Sequence, residues 1–143
     1  MKKNGYNTNL ASEFHVISLL HRLELDANLT LGNKKAVDIV VVRRAGDAVT
    51  IDVKAVSGKF DWPMSNVPMA PRANHFIVLL TYDGKFKDVE SVPRTWVLPH
   101  AELLNLVKSA KAPSTMKYVS RSDVVKLNEY EGAWHLIGGI DGG

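Results

Sequence analysis

Four residues combine types and spacing that could do chemistry together: Glu13, Asp38, Asp52 and Lys54. Asp38 interrupts the run Val37-Asp38-Ile39-Val40-Val41-Val42, where a buried aliphatic residue is expected. A charge in an apolar place is more informative than any exposed one. In Val49 to Val56, period-two alternation assigns Val49, Ile51, Val53 and Ala55 to one strand face. Thr50, Asp52 and Lys54 share the other, so Asp52 and Lys54 project side by side, about 6–7 Å apart along the strand. On a helical wheel of about 100° per residue, Glu13 falls within the arc held by Leu10, Val16, Ile17 and Leu20. Three converging carboxylates repel one another and resist desolvation. A divalent cation removes both penalties, because hard cations take carboxylate oxygens and often a backbone carbonyl. A lysine beside such a cation can polarise a water or neutralise charge developing on a phosphate.

A structural reading competes with this one. Asp38 could pair with Lys54 inside a hairpin, and Glu13 could cap a backbone group or reach solvent. The bare spacing of two aspartates thirteen residues apart with a following lysine recurs by chance. The joint breaking of apolar patterns by all four residues favours a metal site.

The elements that must position these residues follow from periodicity. A first helix is expected from about Thr8 to Leu23, capped by Thr8 or Asn9. Three extended runs follow, Ala27 to Leu31, Val37 to Val42 and Val49 to Val56. The last two are β-branched and joined by the Gly-containing turn Arg44-Ala45-Gly46-Asp47, which reads as an antiparallel hairpin. If its register allows, that hairpin brings Asp38 to the Asp52–Lys54 face. Ser57 to Asn74 carries Pro63, Pro68 and Pro71 and reads as one long irregular segment. His75 to Leu80 is a buried strand, Thr95 to Leu98 a further strand, and His100 to Lys108 a short helix behind Pro99. Ser122 to Leu127 suggests a helical turn, and Trp134 to Ile137 a last strand or a packing anchor. Residues 137–143 are expected to fray. The order predicts an α/β domain with a central mixed β-sheet flanked by helices.

Composition sets the bounds. The 143 residues suit a single domain, 45% hydrophobic and 23% charged. Zero cysteines exclude a disulfide scaffold and thiolate chemistry. No apolar run is long enough to span a bilayer, and Glu13 and His15 interrupt any signal-peptide core, so a cytoplasmic protein without membrane partners is expected. Eighteen Lys and Arg against fifteen Asp and Glu permit a polyanion partner without demanding one. There is no Walker loop or dinucleotide fingerprint, hence no organic cofactor. The five histidines lack metal-ligand spacing and read as structural or exposed.

Glu13 on a helix, Asp38 in a strand and Asp52-Val53-Lys54 in the next resemble the PD-(D/E)XK nuclease superfamily, the restriction-endonuclease-like fold that includes small Holliday-junction resolvases. The motifs cover about residues 9 to 56, and the proline position of the motif is Val37. The resemblance implies hydrolysis of phosphodiester bonds in DNA with Mg²⁺, for which Mn²⁺ would substitute. It implies that Asp38, Asp52 and the Val53 carbonyl hold the metal, that Glu13 completes the shell or binds a second ion, and that Lys54 orients the attacking water. It also implies a helix between the Asp52–Lys54 strand and the next one, which Ser57 to Asn74 does not resemble. Contacts to DNA are expected from Asn33, Lys34 and Lys35 before the Asp38 strand, and from Lys59, Trp62 and Arg72 in the loop leaving Lys54, with Phe60 or Trp62 available to stack on a base. Phe60 and Trp62 could equally cover a sheet edge. A chain this small would act as a homodimer, addressing two strands with two sites, and structure-selective cutting suits its size. The alternative is a non-catalytic nucleic-acid-binding or assembly module that keeps the nuclease fold.

Overall fold

A computed structural model describes residues 5–30 and 37–139. The first element is helix α1, Tyr6–Arg22. It begins two residues before the expected start, because Gly5, at φ 73°, takes the left-handed turn into the helix and neither Thr8 nor Asn9 caps it. Its buried stripe is Ser12, Val16 and Leu20. Leu10, assigned to the inner face by its apolar character, stands outside it at 38% exposure, as does Phe14 at 53%.

Strands β1 (Asp26–Leu29), β2 (Ile39–Val42) and β3 (Ala48–Val56) form an antiparallel meander. The turn between β2 and β3 closes through Arg43 N–H to the Asp47 carbonyl, with Gly46 at φ 91°. β3 then pairs in parallel with β5 (His75–Thr81), and β5 pairs antiparallel with β6 (Arg94–Pro99). The sheet is therefore mixed, in the order β1-β2-β3-β5-β6.

Both faces of this sheet are covered, which explains why every residue of β5 is buried and why its sequence is continuously apolar. Phe76, Val78 and Leu80 face α1 together with Val49, Ile51 and Val53. Ile77 and Leu79 face the opposite layer with Trp96 and Leu98. A parallel pair needs a crossover, usually a helix. Here residues 57–74 make that crossover without one, and Trp62, Met64 and Val67 supply the side chains that cover this face. Strand β4 (Trp62–Pro63) within the crossover joins a small second sheet, β4-β8-β7, formed with β7 (Lys108–Ser109) and β8 (Lys117–Val119). Helices α2 (His100–Leu104) and α3 (Arg121–Val124) complete this layer.

The last described element is α4, His135–Gly138, a short helix where a strand or anchor was expected. Ile137 is wholly buried in the α1-side core. The fraying expected from residue 137 therefore does not begin there, since Ile137 is held by the sheet. Among the described residues, no helix is long and apolar enough to cross a membrane.

Candidate active site

The β2–β3 register decides where Asp38 goes. Ile39 pairs with Ile51, and Asp38 N–H donates to the Ile51 carbonyl at 3.0 Å. One step further the ladder gives way to a side chain, because Val53 N–H donates to Asp38 Oδ2 at 2.8 Å. Asp38 thus takes the place of a backbone acceptor at the point where β2 separates from β3. In an antiparallel ladder, a residue's N–H and C=O leave the same strand edge. The Val53 carbonyl accordingly faces that edge too.

Beside this opening lies a cavity of about 270 Å³ lined by residues from three places. Asn9 and Glu13 come from α1, Asp38 and Val53-Lys54-Ala55 from the two strands, and Trp62, Pro63, Ser65 and Asn66 from the crossover. Glu13, Asp38 and Lys54 therefore meet at one cavity. The expected face division also holds on β3, where Thr50 and Asp52 stand on the side of His75 and Ile77.

Asp52 is adjacent but turned differently. It is nearly buried, and its Oδ2 lies 3.4 Å from His75 Nε2, too long and poorly aligned for a good hydrogen bond. His75 Nδ1 is in turn 2.6 Å from Thr50 Oγ1. Burial pushes the Asp52 carboxyl up, but His75, Lys54 and the Asp38 main chain outweigh it and hold the group below its ordinary value. Asp52 is thereby kept as a carboxylate at neutral pH.

Behind this pair, the His100 ring packs edge-on against His75, with centroids 5.1 Å apart. His100 Nδ1 accepts from Arg72 N–H at 3.0 Å, so its proton sits on Nε2, which donates to the Pro68 carbonyl at 2.8 Å. One neutral histidine fixes both ends of the 68–72 turn. Burial lowers the His100 pKa, with His75 and Arg72 acting the same way against the Pro68 carbonyl and Asp52. A folded pKa below the unfolded one means the stabilisation is complete above about pH 6.5 and is lost as pH falls through the folded value. Hydrogen exchange at the Arg72 amide, corrected for its intrinsic rate, is expected to accelerate below about pH 6.5, and to lose that dependence in His100→Gln. Constant protection from neutral to acid pH would refute this role.

The other expected DNA contacts are placed unequally. Lys59 and Arg72 are exposed, and Phe60 is 62% exposed. Trp62 is wholly buried, its Nε1–H bonded to the Leu80 carbonyl at 3.1 Å and its ring edge-on to Trp96. No face of Trp62 is open to a base, so Phe60 is the loop aromatic available for stacking. Asn33, Lys34 and Lys35 lie outside the described residues.

The donors fit a hard divalent cation in kind, being carboxylates and a strand carbonyl. They are only partly gathered: among the described residues, no group of three His, Cys, Asp or Glu is arranged to hold a metal ion. Asp52, facing His75, is the outlying member. Reading the sequence alone left out Asn9, Ser65 and Asn66 from the cavity and His75 from the neighbourhood of Asp52. The one available signal was that His75 opens an otherwise apolar strand.

The chain is thus an α/β domain with a central mixed five-stranded sheet, whose opening between β2 and β3 adjoins Glu13, Asp38 and Lys54. The chain superposes on the solved structure of a bacterial homing endonuclease, I-Ssp6803I, over 92% of its own length and 88% of that chain, with a TM-score of 0.53 and 19% sequence identity. At that identity the likeness is one of fold. No family model and no curated protein sequence matches the chain.

Proposed function

We propose that the protein is a metal-dependent endonuclease of the PD-(D/E)XK type that hydrolyses phosphodiester bonds in DNA, as a cytoplasmic homodimer, with a preference for branched substrates. The observation that carries this reading is the β2–β3 register, which brings Asp38 against Val53 with Glu13 and Lys54 on one cavity. The shared fold with an endonuclease supports it.

In this reading Asp38, Asp52 and the Val53 carbonyl would hold Mg²⁺ or Mn²⁺, with Glu13 at the edge of the shell. The ion, when bound, supplies Lewis-acid polarisation of the phosphate and of a water. The chain's own residues do the rest. Lys54, carried by a strand held between β2 and β5, lines the cavity, where its ammonium orients the attacking water and offsets charge developing on the phosphate. Asp38 keeps the strand opening fixed through Val53 N–H. Asp52 is an acceptor kept ionised by its surroundings, and it completes the donor set by turning from His75 toward Asp38. Lys59, Phe60 and Arg72, exposed on the loop, would meet backbone and base.

The test is incubation of the protein with supercoiled plasmid and with a four-way junction, in Mg²⁺, in Mn²⁺ and in EDTA. Cleavage in either metal and none in EDTA is expected, faster on the junction. A second reading, a non-catalytic nucleic-acid-binding module, is favoured by the incomplete gathering of the carboxylates and the contact of Asp52 with His75. It predicts metal-independent DNA binding and no cleavage under any of these conditions.

A further inference from the structure

The outer face of α1 is built unlike a solvated helix face. Tyr6, Leu10 and Phe14 follow one another at four-residue intervals and so form one stripe. They are 64%, 38% and 53% exposed. The helix packs its opposite side on the sheet through Ser12, Val16 and Leu20. The only Asp, Glu, Lys or Arg in α1 are Glu13, on the flank that lines the active-site cavity, and Arg22, in its last turn. Before that last turn the exposed arc carries no Asp, Glu, Lys or Arg, and it presents two aromatics. Depletion of charge together with enrichment of Tyr and Phe is the compositional mark of an interface centre.

The stripe does not end at the helix. Ala11 and His15, each one residue beyond Leu10 and Phe14, line a groove of about 630 Å³ against the β5–β6 loop. That loop carries Val89 and Val92, 88% and 79% exposed.

We infer that this face binds the same face of a second copy of the chain. The argument is one of symmetry and area. A two-fold contact must be self-complementary. A stripe centred on Leu10, with an aromatic one turn to either side, satisfies this when two α1 helices cross antiparallel. Leu10 then meets Leu10 of the second copy on the axis, and Tyr6 of each copy covers Phe14 of the other. Tyr6 and Phe14 expose roughly 200–250 Å² between them. Leu10, Val89, Val92 and the groove edge extend this toward the roughly 800 Å² per partner of a standard interface. Lys87, Asp88 and Glu90, which also line the groove, carry both signs, which a second copy of the same face can match.

The inference rests on the homodimeric part of the proposed function and not on its chemistry. It adds to that reading that the two sites lie on the flanks of one helix pair, since Asn9 and Glu13 line the cavity from the same α1.

Sedimentation equilibrium without DNA or metal tests it apart from any cleavage. Wild type is expected to dimerise, and Leu10→Glu, which sets two carboxylates against each other on the axis, is expected to raise the dimer Kd at least about 100-fold. Far-UV circular dichroism and melting separate this from misfolding. A chain with Tyr6→Glu and Phe14→Glu and another with Tyr6→Lys and Phe14→Lys, all at exposed positions, should each be monomeric and should associate one to one when mixed. A wild type that stays monomeric at about 100 μM overturns the inference. So does a dimer whose Kd Leu10→Glu leaves unchanged, and so does a failure of the two charged chains to associate. Association with no cleavage anywhere would sink the nuclease reading and leave this interface standing.

Discussion

Lys54→Ala is expected to reduce metal-dependent cleavage by about 10²–10³-fold, while melting close to wild type. Removing one preorganised group that stabilises charge in a transition state costs on that order. Lys54 reaches the cavity from a half-buried position, and β3 is held by its neighbours β2 and β5 whatever side chain stands there. Asp38 allows a sharper separation of catalysis from folding. Its Oδ2 accepts the Val53 N–H, so Asp38→Ala leaves that donor without a partner, costing about 1–3 kcal/mol. Asp38→Asn keeps an oxygen acceptor in place and removes the charge. It should therefore melt above Asp38→Ala, yet cleave as slowly. Single-turnover rates and melting curves on these variants decide the matter. Wild-type cleavage by Lys54→Ala would remove this site from the chemistry, and losses that simply track melting temperature would reduce Asp38 to a structural cap.

Such variants could be chosen from the sequence because alternation is a strong signal where a strand has two different faces. Val49, Ile51 and Val53 do face the α1-side core, and Asp52 and Lys54 take the other direction as period two demands. A one-residue slip in the β2–β3 hairpin would have reversed every side chain, so its register was tightly specified. Helix α1 was less legible. It carries more apolar residues than its buried stripe can use, and a wheel centred on all of them moves Glu13 from the edge of the buried face to its middle. The surplus, Leu10 and Phe14, belongs to a different surface. His75 escaped for another reason: its position beside Asp52 depends on a parallel pairing across the whole 57–74 crossover, and no local pattern reports such a register.

Trp62→Ala is expected to lower stability by about 3–5 kcal/mol, the range for truncating a large buried aromatic. The crossover is the least periodic part of the chain, and its tryptophan, beside Lys59 and Phe60, has the composition of a loop that stacks on bases. Its position says otherwise. In the absence of a crossover helix, the face of the sheet carrying Ile77, Leu79, Trp96 and Leu98 must be covered by residues 62–67. Trp62 is the largest of these, and its indole N–H also satisfies the Leu80 carbonyl. Trp62→Phe retains most of the bulk but leaves that carbonyl without its donor, so it should fall between wild type and Trp62→Ala. Phe60→Ala should do the reverse, leaving melting almost unchanged and weakening DNA binding, with base stacking worth about 1–3 kcal/mol per aromatic. The two aromatics are thus separable by a pair of measurements, denaturant unfolding and DNA affinity under conditions where each variant is folded. If Trp62→Phe unfolds like wild type and binds DNA more weakly, the side chain acts at the surface and the crossover does not cover the sheet as described. If Phe60→Ala changes neither quantity, the loop offers no stacking platform, and DNA contacts on this side fall to Lys59 and Arg72.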